Sequence, residues 1–170
     1  DLPAGKNLAG AFWQRSLVIC DTDTLDTLPV DIFRDGCAEV IKYGILYDPK
    51  LFAHLEEKGL DFDREAVITR CVELKRDVVM EDEFDTGARK LLNLGHTFGH
   101  GVEARSDFTL SHGKSVAIGM AIIARAAAKK GILSQEDCAC LLKTLAEYGL
   151  PTETAYSPEE IAETALSDKK

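Results

Sequence analysis

Residues 86–105, TGARKLLNLGHTFGHGVEAR, decide the fold of this chain. At about 100° per residue in an α-helix, Arg89, Asn93, His96, His100 and Glu103 fall within roughly an 80° arc. Leu91, Leu94, Phe98 and Val102 fall on the opposite side, an apolar stripe suited to a core. The spacing therefore predicts a helix over 86–105. Its polar stripe is unusual in kind. A solvated face is ordinarily rich in Lys and Glu, whereas two imidazoles, an amide and a guanidinium are groups that bind metals, phosphates and carboxylates.

The same helical period runs through most of the chain. It predicts helices over 31–47, 49–58, 64–81, 113–130, 135–148 and 158–166 as well, with breaks at Gly59, around 107–111, at Gly131 and at Gly149-Leu150-Pro151. Ser111, Ser134 and Ser157 stand where N-caps are needed. The only strand-like stretch is SLVIC at 16–20, followed by a turn-rich link from Thr22 to Pro29 whose end, Thr27-Leu28-Pro29, can lead into a helix. The expected fold is mainly α, a multi-helix bundle with one short N-terminal strand.

The chain has 170 residues, of which 45% are hydrophobic, enough for one real core. A net charge of −9 argues against nucleic acid as the main partner. There is no apolar run of roughly 18 residues to span a membrane, and nothing reads as a signal peptide. The five cysteines form no CxxC pair and read as free thiols of a reducing cytoplasm. The chain opens with DLPAGKN rather than a methionine, so it reads as part of a longer protein.

Three features offer chemistry. His96 and His100 are four residues apart, a spacing that suits a shared metal ion and equally a pair of buried, hydrogen-bonded imidazoles. Thr97-Phe98-Gly99 lies between them with no glutamate, so a zinc-protease motif lacks its base. Gly95, Gly99 and Gly101 each cost a helix about 1 kcal/mol relative to alanine. They point to another backbone, or a ligand, approaching closely. His112 follows Ser111 in the first turn of the next helix, where the partial positive charge suits a neutral, metal-binding imidazole. Glu39, in CAEVIKYG, is the best carboxylate to complete a three-ligand site with an open position. With Lys42 three residues on, it also suits an ordinary surface ion pair. Lys75, Asp82, Asp85 and Arg89 precede the histidines and can reach the same pocket.

Taken together, GKNLAGAFWQ, the DTLP turn, AEVIKYG, LLNLGHTFGHGVEA, SHGKSVAIGM and the final DKK resemble the 3-dehydroquinate synthase family, in the right order over nearly the whole chain. The resemblance implies that residues 1–29 connect from a missing dinucleotide-binding domain and that 30–170 form a helical metal- and substrate-binding domain. It implies a metal, Zn2+ or Co2+, held by Glu39, His96 and His112, which removes His100 from the ligand set. His100, Lys42 and Asn93 then act at the reacting centre, and Lys75, Arg89, Asp85, Lys6 and Asn7 hold the substrate. Thr27 and Leu28 touch NAD, and Lys169 or Lys170 matches a phosphate-side lysine. The family's reaction is a phosphorus–oxygen lyase step of the shikimate pathway, which feeds aromatic amino-acid biosynthesis. It turns 3-deoxy-D-arabino-heptulosonate 7-phosphate into 3-dehydroquinate and phosphate by transient NAD oxidation, elimination and an intramolecular aldol. The fragment alone is expected to be inactive, and the full-length enzyme to be a cytoplasmic homodimer. Two positions depart from the family pattern, Lys114 and Asp85, where glutamates are usual. Another sugar-phosphate cyclase, making an inosose or a valiolone, is the alternative within the fold. A metal-dependent polyol dehydrogenase and a non-catalytic helical module stand further off.

Overall fold

In the computed structural model, residues 16–84 and 87–167 are described. A 3-10 turn, Thr22–Thr27, leads into α1 (Val30–Tyr47), α2 (Pro49–Lys58) and α3 (Arg64–Glu81). A second 3-10 segment, Ala88–Asn93, precedes α4 (His96–Arg105), α5 (His112–Lys129), α6 (Gln135–Glu147) and α7 (Pro158–Ser167). The sequence-based helices are recovered with ends shifted by a residue or so, because their signals are local. Asp48 accepts from the first-turn N–H groups of Lys50 and Leu51, with Pro49 at the first helical position. Ser134 accepts from Asp137, and Ser157 and Glu160 satisfy each other's backbone N–H groups in a capping box. No helix among the described residues is long and apolar enough to cross a membrane.

Two expectations fail. Residues 16–20 form no strand, and no strand occurs among the described residues. Leu17, Val18 and Ile19 are exposed, and a lone extended segment has no ladder to stabilise it. The helix predicted over 86–105 is also interrupted. Gly95 sits at φ +81°, a left-handed conformation that ends the 3-10 segment and starts α4 in a new direction. The apolar stripe is split accordingly. Leu91 is exposed, Leu94 packs on the main core, and Phe98 and Val102 join a second, smaller cluster with Ile118 and Ile161.

The core gathers around α5, which packs against α1, α4 and α6. From Ser115 to Ala121 every residue of α5 is buried. Small residues let other backbones come close. A Cβ on Gly95 would lie 2.7 Å from the Val116 carbonyl oxygen, and one on Gly119 1.9 Å from that of Gly95. Gly99 and Gly101 would meet the carbonyl oxygens of Ser115 and Ile161 at 2.9 and 2.8 Å. The glycine cluster is therefore explained by helix crossings, to α5 on one side and α7 on the other. The main core fills with Cys37, Ala38 and Ile41 of α1, Leu51 and Leu55 of α2, and Leu141 and Leu145 of α6. Each large aliphatic among them stabilises by about 1.5–3 kcal/mol. The Tyr148 hydroxyl donates to the carbonyls of Leu55 and Gly59 at 3.1 and 2.5 Å, locking α6 onto the end of α2. All five cysteines are free thiols.

Candidate metal centre

Helix α1 carries Glu39 and Lys42 one turn apart and buries Lys42 together with Cys37, Ala38 and Ile41. The pair is not the surface ion pair its spacing allows. Lys42 is only 2% exposed, and its Nζ lies 2.6 Å from Glu39 Oε2. Burial pulls the Lys42 pKa down. Glu39 opposes that shift, and the nearby charge of Lys75 adds to it. Lys75, exposed on α3, is near enough for its charge to act on Lys42.

The other Glu39 oxygen, Oε1, is buried and accepts no hydrogen bond among the described residues. Around it stand two imidazole nitrogens, His96 Nε2 at 3.4 Å and His112 Nε2 at 3.9 Å. Donor atoms around a tetrahedral zinc with ~2.1 Å bonds are separated by about 3.4 Å, so a small closure seats an ion. An orphaned carboxylate oxygen facing two nitrogen lone pairs fits a divalent cation, and without one the burial of Oε1 is uncompensated.

Both imidazoles are arranged to offer Nε2. His96 Nδ1 lies 3.3 Å from the Leu94 carbonyl oxygen, and His112 Nδ1 lies 3.6 Å from Glu103 Oε2. The Leu94 carbonyl keeps the His96 proton on Nδ1 and leaves Nε2 free, while Glu103 stands just beyond hydrogen-bond distance of His112. Burial, with the Lys42 charge, lowers the His96 pKa, which favours the neutral ligand form. His100 closes the group, its ring centroid 5.5 Å from that of His96 and 5.8 Å from that of His112. A second combination, His100, Glu103 and His112, also brings donor atoms within 4.8 Å of one another. It would leave Glu39 Oε1 orphaned, so the Glu39–His96–His112 set accounts for more of the structure.

Asp35, one turn before Glu39, is a residue that sequence reasoning misses. Its carboxylate accepts from the Ser111 hydroxyl at 2.5 Å and from the backbone N–H groups of Gly113 and Lys114 at 3.1 and 2.8 Å. Ser111 occupies the N-cap position but makes no cap bond of its own; Asp35 caps α5 from across the interface. His112 is thus tied to the helix that carries Glu39. Glu103, placed on the polar stripe but given no role by the sequence, is 4% exposed beneath His112. The spacing D-x-x-x-E in α1 is a weak signal for Asp35, and nothing local marks its partner.

The remaining predicted residues are placed unevenly. Arg89 is half-buried; its backbone N–H donates to Asp82 Oδ2 at 3.0 Å, and its guanidinium donates to the Glu83 carbonyl at 3.0 Å. Asn93 is exposed at the end of the second 3-10 segment, which packs on α1 and α3. Thr27 and Leu28 end the first 3-10 turn: Thr27 donates to the Thr24 carbonyl, while Leu28 joins an apolar hollow of about 180 Å³ with Phe33 and Phe62. Among the described residues, neither makes a hydrogen bond or ion pair with the histidine cluster. Lys6, Asn7, Asp85, Lys169 and Lys170 lie outside the described residues.

A donor set of one carboxylate and two imidazoles, three protein ligands rather than four, has the form of a catalytic rather than a structural metal centre. The family pattern for the 3-dehydroquinate synthase C-terminal region matches residues 36–170, so this chain belongs to that family. It is 45% identical over 184 residues to the 3-dehydroquinate synthase of Xanthomonas campestris pv. campestris (strain 8004), covering 100% of this chain and 50% of the relative. It is 44% identical over 178 residues to that of Pelobacter propionicus, with the same coverage. The chain thus spans about half the length of the curated relatives it matches. Among solved structures it resembles 2-epi-5-epi-valiolone synthase from Streptomyces hygroscopicus subsp. jinggangensis with NAD+ and Zn2+ bound, with a TM-score of 0.78 and 27% identity over 87% of this chain and 43% of that one. It shares its fold with a 2-deoxy-scyllo-inosose synthase complexed with carbaglucose-6-phosphate, NAD+ and Co2+, at TM-score 0.83 and 22% identity over 98% of this chain and 47% of that one.

Proposed function

We propose that the chain is the metal- and substrate-binding half of a 3-dehydroquinate synthase, with residues 1–29 leading in from a dinucleotide-binding domain and 30–170 forming the helical domain. The observation that carries this reading is the orphaned Oε1 of Glu39 between two Nε2 atoms. Glu39, His96 and His112 hold Zn2+ or Co2+. When bound, the metal polarises the hydroxyl that is oxidised, and NAD accepts the hydride. The substrate is the phosphorylated keto-sugar acid 3-deoxy-D-arabino-heptulosonate 7-phosphate, and the products are 3-dehydroquinate and phosphate. The names of the relatives at 44–45% identity favour this acid over the substrates of valiolone and inosose synthases.

The roles of the other side chains follow from their chemistry. Lys75 and Arg89 match carboxylate or phosphate, with Lys6, Asn7 and Asp85 completing substrate contacts. Lys42, its pKa lowered by burial, holds the Glu39 carboxylate and can exchange a proton beside the reacting centre. His100 and Asn93 serve as proton carrier and hydrogen-bonding partner there. Thr27 and Leu28 contact NAD, most of which is bound by the other domain. The same reading makes the full-length enzyme a cytoplasmic homodimer. Anomalous scattering at the zinc edge, after adding metal to the chain, should show one ion within coordination distance of Glu39, His96 and His112. A fully occupied site on His96 and His100 instead overturns the assignment. This chain without a dinucleotide-binding domain should form no 3-dehydroquinate.

A further inference from the structure

We infer that Glu103 is a positioning residue for the metal centre, its buried carboxylate accepting a hydrogen bond from the Nδ1–H of His112 so that Nε2 faces Glu39 and His96. The inference rests on the metal reading above. His112 lies between two carboxylates, with Nε2 3.9 Å from Glu39 Oε1 and Nδ1 3.6 Å from Glu103 Oε2. The His112 side chain is 43% exposed, while that of Glu103 is only 5% exposed. A carboxylate so deeply buried has to be satisfied inside the protein, and the imidazole is a partner it can orient. His96, His100 and Glu103 recur along one face of α4, so the helix that supplies one ligand also holds the carboxylate that aims another.

The 3.6 Å separation exceeds a hydrogen bond, so turning the His112 ring toward an ion has to shorten it by about 0.5 Å. Glu103 thereby discriminates between the two ring nitrogens of a half-exposed histidine. The Asp35 contacts fix only the backbone around His112 and the Ser111 hydroxyl.

The test uses the full chain, Co2+ as spectroscopic probe and a chelator competition for affinity, with Glu103→Gln and Glu103→Ala. Glu103→Ala should lower Co2+ affinity about 10–100-fold, the usual effect of losing an outer-shell partner of a ligand histidine. Its visible d–d spectrum should shift as the ligand geometry relaxes. Glu103→Gln keeps an acceptor oxygen and should lose less than about tenfold. Wild-type affinity and spectrum in both variants overturn the inference while leaving the metal site standing. A wild-type chain that binds no Co2+ at Glu39, His96 and His112 removes the metal reading and this inference with it. Metal found on His100, Glu103 and His112 overturns it too, because Glu103 is then a ligand. Should the variants unfold, imidazole 15N shifts of the wild-type zinc-loaded chain decide: a metal-free, protonated Nδ1 on His112 supports the inference, and metal on Nδ1 refutes it.

Discussion

Asp35→Ala isolates the contact that sets the distance between Glu39 and His112. The substitution removes the acceptor of the Ser111 hydroxyl and of two first-turn N–H groups of α5. Losing an N-cap acceptor costs typically about 1 kcal/mol. A further hydrogen bond to a charged group adds about 1.5 kcal/mol, reduced here because the site is only partly buried and water replaces some of it. The expected loss is about 2 kcal/mol, which for a chain of this size lowers Tm by roughly 4–8 °C. Because Gly113 and Lys114 directly follow His112, the first turn of α5 loosens where the ligand sits. Zinc affinity should fall about tenfold, equivalent to about 1.4 kcal/mol of lost preorganisation. Asp35→Asn retains an acceptor but not the charge that suits a helix N-terminus, and should cost about half as much. Thermal unfolding followed by circular dichroism, with a chelator competition for zinc, measures both. An Asp35→Ala chain within about 0.5 kcal/mol of wild type and with unchanged zinc affinity refutes the clamp.

Three further outcomes follow from the packing and the site. Gly119→Ala puts a Cβ 1.9 Å from the Gly95 carbonyl oxygen and should destabilise by about 1–3 kcal/mol, whereas Gly36→Ala meets nothing within 4 Å and should be neutral or stabilising; urea unfolding of the two gives opposite signs. His96→Ala should abolish zinc binding, while His100→Ala should leave affinity within a few-fold, as read by the same competition; loss of binding in both variants would show that the helical spacing had named the ligands correctly. Burial raises the pKa of Cys71 to about 11 and those of Cys37 and Tyr43 to about 12, so these groups hold their protons longer when folded than when unfolded. Above about pH 9 the unfolded chain then binds fewer protons, and stability falls as pH rises toward 12. Lys42, with its lowered pKa, opposes this in the same range but is a single group. Denaturant midpoints across that window should decline, and Cys37 should resist alkylation under native conditions.

How far the site is legible in the sequence depends on the range of each signal. The polar stripe from Arg89 to Glu103 assumes one continuous helix, and Gly95 breaks it. Within α4 the stripe survives from His96 to Glu103, but Arg89 and Asn93 belong to a separate 3-10 segment. The i,i+4 spacing favours His96 with His100 as metal partners. Residue type alone makes Glu39 and His112 candidates; the family resemblance joins them to His96 as one set, and the geometry supports that set through a buried oxygen that no periodicity can reveal. Lys42 likewise reads as a surface charge, and its burial depends on the elements that pack against α1.

Helix content, element order, the caps at Ser134 and Ser157 and the close-approach glycines are determined by the sequence alone. They depend on contacts within a few residues, where propensity, periodicity and hydrogen-bond geometry act directly. The break at Gly95, the clamp from Asp35 to α5, the burial of Lys42 and the meeting of Glu39 with His96 and His112 are decided only by the tertiary structure. Each depends on which helices cross and how closely, set by backbone-to-backbone contacts at Gly95 and Gly119 between segments distant in the chain.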